Sequence, residues 1–137
     1  MNREILFKAK RKDWRNLPKG EWWVEGYYVK YQPCASISEY VHGIVPAYAS
    51  ALYIIEIDPT TLCQFTGLTD KNDQKIWEND ILDCGNKLRV SWNHFKASWV
   101  LSKKGWMYNH FFGEAVEPED VEVIGNIFDN PELLEVE

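Results

Sequence analysis

QFTGLTDKNDQKIWENDILDC, residues 64–84, packs two apolar runs and two turns into one short span, and its reading decides the fold. Phe65 precedes Thr66-Gly67, where glycine can take the positive φ of a tight turn, and residues 70–73 supply a second turn just before Ile76-Trp77. Asn72-Asp73 stands where Asn-Gly would be the strongest two-residue hairpin signal; Asn and Asp are the residues that best tolerate the left-handed region without being glycine. Polar Glu78-Asn79-Asp80 marks a further corner, and Ile81-Leu82 opens the next strand. A polar corner, a strand, a glycine turn and another strand is how small SH3-like barrels are often written.

Working outward on the N-terminal side, residues 63–65 read as a strand. The apolar run 52–57 is too short for a stable helix and rich in β-branched residues, so it reads as a core strand ended by Asp58-Pro59. Residues 32–50, with Pro33, Gly43 and Pro46, read as loop with one short strand. The strongest long strand covers 21–31: Trp23, Glu25, Tyr27 and Val29 share one face, Trp22, Val24, Tyr28 and Lys30 the other, and Gly26 signals a bulge or a close backbone approach. Aromatics on both faces place this strand in the middle of the structure. A first strand over 4–9 buries Ile5, Phe7 and Ala9, and a basic connection runs from it to Pro18-Lys19-Gly20.

On the C-terminal side, short turns separate strands over 81–83, 88–92, 96–101 and 106–110, a meander that leads naturally to a small barrel with few exposed edges. Residues 113–120 are acidic and hold a single helical turn, 121–128 form a closing strand, and Asp129 or Asn130 caps a short terminal helix that begins at Pro131.

Three stretches carry a family resemblance. Gln64-Phe65-Thr66-Gly67-Leu68 with Asp70-Lys71-Asn72 and Ile76-Trp77-Glu78-Asn79-Asp80-Ile81 resembles the hallmark of the YopX family of small phage and prophage proteins, whose pattern usually has Gly where Asp73 and Asn79 stand. Arg3-Glu4-Ile5 with Phe7 and Ala9 agrees at the start; Val123-Ile124-Gly125-Asn126-Ile127 and Asn130-Pro131-Glu132-Leu133-Leu134 agree at the end. The resemblance implies an all-β architecture, a phage or prophage origin and residence in a bacterial cytoplasm. It implies no known activity, so Gln64, Thr66, Gly67, Asp70, Asn72, Glu78, Asp80, Gly125, Asn126 and Pro131 enter as structural motif residues rather than catalytic ones.

Composition points the same way. At 137 residues the chain suits one compact domain. Seven Trp, seven Tyr and six Phe tilt the balance towards strand, since aromatics favour strands and bury large areas. No apolar run of signal-peptide length follows Met1 and no 18 uncharged apolar residues stand together, so the expectation is a soluble, unsecreted protein. Cys34, Cys63 and Cys84 are odd in number and widely spaced, which predicts reduced thiols acting as small apolar fillers. The net charge of -6 divides as +4 over residues 1–30, -1 over 31–113 and -9 over 114–137, which suggests self-complementation or two faces with different partners.

Catalytic and metal readings fare poorly. Asp70, Asn72 and Gln74 alternate as in a calcium loop, but Lys75 and Ile81 stand where an EF-hand needs Gly and a bidentate Glu. Nothing in the spacing brings a cysteine to His42, His94 or His110, and no two Cys or His residues have zinc-ligand spacing. Glu78, Asp80 and Asp83 could form a carboxylate pair, yet acids at a turn commonly shape the corner. No cofactor fingerprint appears.

Nucleic acid is the more serious alternative. Lys8, Lys10, Arg11, Lys12, Arg15 and Lys19, interrupted by Trp14 and followed by Trp22-Trp23, combine backbone-neutralising charge with stacking surface. A solvated loop that pairs with the acidic tail competes with that reading and is favoured by the pI near 5.1. The expectation is therefore an all-β, partly open SH3-like barrel over 58–128, an N-terminal β segment over 1–57 packed on it and an acidic tail over 129–137. Its expected role is non-enzymatic: a cytoplasmic accessory protein that binds a host or phage protein and self-associates as a homo-oligomer, with no membrane, metal or cofactor.

Overall fold

The computed structural model describes residues 5–36, 38–46, 53–103, 110–112 and 116–134. Its strands form two antiparallel sheets, neither closed into a barrel, so the all-β expectation holds. The chain divides into two compact units, Met1–Gln64 and Phe65–Glu137. The division falls inside a strand, between Gln64 and Phe65.

In the first unit, β1 (Phe7–Lys10), β2 (Trp23–Tyr31), β3 (Val41–Pro46), β4 (Ile55–Glu56) and the first residues of β5 (Cys63–Thr69) lie in the order β4-β3-β2-β1-β5. β2 is central, as expected, but the segment after it is more regular than its prolines and glycines suggested. All six residues of β3 pair with β2, from Gly26↔Pro46 to Tyr31↔Val41, whereas among its described residues the apolar run read as a core strand contributes the two of β4. Ala9, Val24, Ile44 and Ile57 form the core of this unit, with Phe7, Tyr28, Ile55 and Leu62 packed on it. Each fully buried branched side chain contributes about 1.5–3 kcal/mol. Gly26 is a close approach rather than a bulge: a Cβ there would run into the Val45 carbonyl and stand 2.8 Å from Pro46 Cα. An isolated bridge between Arg11 and Ile57, with Lys12 N donating to Glu56 O at 3.0 Å and Asp58 N to Lys10 O at 2.9 Å, draws the end of β1 towards that of β4 without a continuous ladder.

In the second unit the end of β5 pairs with β6 (Lys75–Trp77), while β7 (Asp80–Asp83), β8 (Lys87–Asn93), β9 (Ser98–Ser102), β10 (His110–Phe111) and β11 (Glu122–Asn126) lie in the order β10-β9-β8-β7-β11. β7 to β9 follow the expected meander, β10 overlaps the strand read over 106–110 at His110, and the closing strand β11 returns to pair with β7. Ile76, Leu82, Leu88, Val90, Trp99, Leu101 and Val121 make its core. The helical turns foreseen near the end are short 3-10 segments, Pro118–Asp120 and Pro131–Leu134.

Thr66-Gly67 corrects the opening expectation. It is not a turn but an interruption within β5, where the register passes from Phe65↔Trp77 to Thr69↔Lys75 with two extra residues on the β5 side. Gly67 has φ 87°, and Thr66 closes the bulge by donating its hydroxyl to Ile76 O at 2.7 Å and accepting from Leu68 N at 3.1 Å. Glycine was the right signal, because both features need a positive φ; the surrounding β-formers decided that the chain runs on. Arg3 and Glu4, most of the strand read over 106–110, and the end of the acidic tail lie outside the described residues.

Candidate functional site

The motif residues of the opening stretch hold turns together. Asp70, 4% exposed, accepts from the backbone N–H groups of Asn72 (2.8 Å) and Gln74 (2.9 Å) on one oxygen and of Val123 (2.9 Å) on the other. Burial alone would raise the pKa of this carboxyl; the three N–H donors, with Lys71 nearby, outweigh it and hold the pKa below the ordinary carboxylate value. One side chain thus shapes the β5–β6 turn and ties it to β11. Asn72 itself is exposed and contributes its backbone. Asp73 at φ 61° and Asn79 at φ 71° both occupy the left-handed region, the physical reason for a glycine preference at these two positions.

Asp80, 2% exposed, accepts from Trp77 N at 2.8 Å across the half-buried Glu78, and Asn79 Oδ1 accepts from the Arg89 guanidinium at 2.9 Å. Asp83 accepts from Gly85 N at 2.9 Å. Asp80 and Asp83 therefore each bind a backbone N–H of their own corner. Gln64 is half-buried opposite Phe7, at the point where the chain passes between units. Gly125 follows an irregularity in β11, and a Cβ there would meet the Asn130 side chain at 2.5 Å. Asn126 Oδ1 accepts from Phe128 N and Asp129 N, both at 2.9 Å, and Pro131 then starts the last 3-10 turn.

The basic segment gathers around Lys10, which is only 2% exposed. Its Nζ stands 3.9 Å from the ring centroid of Trp14, 4.5 Å from that of Trp22 and 5.6 Å from that of Trp23. Local sequence builds this arrangement: 3-10 turns over Trp14–Asn16 and Lys19–Glu21 fold the strap back on β1, Trp22 Nε1 donates to Leu17 O at 3.0 Å, and the Trp14 and Trp22 rings meet edge-on at 4.9 Å. Other cations lie against the same rings: Lys8 over Trp23 at 4.8 Å, Arg15 over Trp14 at 4.4 Å and Lys19 over Trp22 at 6.0 Å. Arg11 donates to Glu21 O at 2.9 Å, and Lys12 pairs with Glu56 at 2.9 Å, which raises the lysine pKa.

The structure thus brings all seven residues of the proposed nucleic-acid set into one region, with each cation already engaged by a ring, a carbonyl or a carboxylate of the first unit. Next to them Asp58 caps the turn Pro59–Thr61 by accepting from Thr60 N (3.1 Å) and Thr60 Oγ1 (2.7 Å). Burial would raise its pKa, but these donors, Trp14 and Arg15 lower it.

A second surface went unremarked in the sequence. Tyr27, Val29 and Tyr31 of β2 lie opposite Val45, Gly43 and Val41 of β3, and directly opposed residues share a face. Tyr27 and Tyr31 are 49% and 41% exposed, and Ile54, 40% exposed, lies over Gly43. No charged residue stands at these strand positions. The signal was the alternation along β2, where Glu25 shares the Tyr27 face and marks it as the solvent side.

Cys63 is buried as expected, but Cys34 and Cys84 are exposed and fill no core. Their turns explain it: Cys84 sits in the tight Asp83–Asn86 reversal before β8, too short to reach back to the core. Among the described residues no group of three or more His, Cys, Asp or Glu is placed to hold a metal ion, and no helix is long and apolar enough to cross a membrane. Comparison with curated proteins finds no match. The YopX protein family matches over residues 21–135, most of the chain and both units, including the Asp73 and Asn79 positions whose backbone favours glycine; the chain belongs to the YopX family.

Proposed function

We propose that this protein is a non-enzymatic binding module that acts on another protein, as a phage or prophage accessory factor in the cytoplasm of its bacterial host. One observation carries the reading: two exposed rings of the first unit, Tyr27 and Tyr31, stand on an uncharged strip with Val29, Val41, Val45 and Ile54, while Trp14 and Trp22 next to Lys10 are half-buried. Tyrosine supplies large, rigid, amphipathic contact area at low entropic cost, the property exploited at protein-recognition surfaces. A strip without cations favours a protein face over a phosphate backbone. The family match is consistent with this reading and names no partner.

The test is affinity capture from host cells with the full chain and with Tyr27→Ala/Tyr31→Ala, next to light scattering of both. A protein that is captured by the parent, identified, shown to bind in purified form and lost with the double variant supports the module. Retention by the double variant refutes the strip as its site. Self-association that disappears in the double variant would assign the strip to a second copy of the chain.

A further inference from the structure

From Cys84 to Gly113 the chain contains no acidic residue, while Lys87, Arg89, Lys96, Lys103 and Lys104 give it five positive charges in a protein of net charge -6. The β8–β9 hairpin lies within this stretch and presents aromatic rings at its tip. Phe95 is 86% exposed, the highest value among the exposed large apolar residues, and Trp92 is 44% exposed. Neither ring is loosely held. Asn93 Oδ1 accepts from Phe95 N at 3.0 Å and Lys96 N at 3.2 Å, His94 lies 4.2 Å from Phe95 ring to ring, and Trp92 packs edge-on against the buried Trp99 at 4.9 Å. Lys96 is exposed next to Phe95, whereas Lys103 follows β9 at the far end of the hairpin and donates to Asn86 Oδ1 at 3.2 Å.

We infer that the β8–β9 tip is a single-stranded nucleic-acid contact, in which bases stack on Phe95 and Trp92 and a phosphate meets Lys96. Stacking platforms next to backbone-tracking cations are the two ingredients of sequence-tolerant single-strand binding. The tip differs from the Lys10 region in having both in accessible form. The five cations of residues 84–113 favour the approach of a phosphate chain to this part of an acidic protein. Within the hairpin, Arg89 is engaged by Asn79 and Lys87 faces Asp83 across the ladder, so the contact belongs to the tip and not to its base. The contact shares no residue with the Tyr27 strip and does not depend on it.

The experiment is fluorescence anisotropy of a labelled oligothymidylate with the full chain. One phosphate contact gives a log-log salt slope of about -0.7, and Lys96→Ala should abolish it. Phe95→Ala should weaken binding by roughly 5- to 150-fold, with Phe95→Trp restoring it, since a stacked base contributes about 1–3 kcal/mol. Phe95 and Lys96 are exposed, so neither change threatens the fold, and Tyr27→Ala/Tyr31→Ala should bind like the parent. Absence of binding at low salt, or a Phe95→Ala variant that binds unchanged, overturns the inference. Polyglutamate that binds as tightly as the oligonucleotide also overturns it and assigns the tip to an acidic peptide.

Discussion

The first unit buries a cation, Lys10, and the second an anion, Asp70, at 2% and 4% exposure. The anion is met by three backbone N–H groups within 2.9 Å, short directional bonds that fix the positions of three residues. The cation is met by the faces of indoles between 3.9 and 5.6 Å from its Nζ, a broad attraction that fixes no single angle. A charged group taken from water must find compensation of comparable strength, and the two units supply it from different stock: main chain in one, side chains in the other. Backbone donors belong to the turn whatever its side chains are, whereas the ring site exists only if two 3-10 turns return Trp14 and Trp22 to β1.

The largest expected effect follows from the cation. Lys10→Ala removes both the ammonium and the stem packed among the rings and should lower stability by about 3 kcal/mol, whereas Lys10→Met keeps the stem and should lose about 2 kcal/mol. A urea midpoint for Lys10→Met equal to that of the parent would show that packing alone, not charge, fills the site.

Asp70→Asn comes next, at about 2–3 kcal/mol, because a charged acceptor is lost and an amide NH2 is turned towards a buried N–H. This effect depends on pH. The folded-state pKa lies below the reference 3.8, so the stabilisation is fully present above pH 4 and disappears as pH falls through 3.8 towards the folded value. The gap in unfolding free energy between parent and Asp70→Asn should therefore narrow on acidification from pH 7 to pH 3; a constant gap would mean that the carboxylate charge is not what matters. Asp58, also lowered, adds acid sensitivity to the first unit by the same sign.

A smaller effect sharpens the role of backbone in the second unit. Asp73→Gly relieves a side chain at φ 61° and should be neutral or stabilising by up to about 1 kcal/mol, while Asn79→Gly relieves φ 71° but gives up the bond to Arg89 and should gain less. Thermal denaturation of the two variants side by side decides this; a clear loss for Asp73→Gly would reveal a contact of its carboxylate. The smallest effect is expected at the hairpin tip, where Phe95→Ala should change stability by no more than about 0.5 kcal/mol. Lys10 and Phe95 both belong to groups of cations and rings, and only the first should matter for folding.

Much of the architecture could be read directly. The strands around Trp23–Tyr31 and from residue 81 onward were visible because alternation and turn residues are local properties of the chain. Gly26 was legible as a bulge or a close approach, and the pairing with Pro46 decides for the second. β3 was legible only as one short strand within a loop, since Pro46 and Gly43 argue against a longer one until Gly26 and Val29 are seen opposite them. The bulge at Gly67 had the same glycine signal as a turn, and only the register with β6 distinguishes them.

The candidate sites divide along the same line. Sequence by itself determined that this is an all-β chain of the YopX pattern, with glycine-like positions at 73 and 79, a basic aromatic beginning and an acid-free basic stretch after residue 83, because composition, spacing and turn chemistry need no partner. Tertiary structure alone decided which rings are covered and which are open. Trp14, Trp22, Trp92 and Phe95 look alike as letters near lysines, but coverage depends on what the fold returns to each ring: β1 brings Lys10 under the first two, whereas Trp92 against Trp99 and Phe95 against His94 stay exposed.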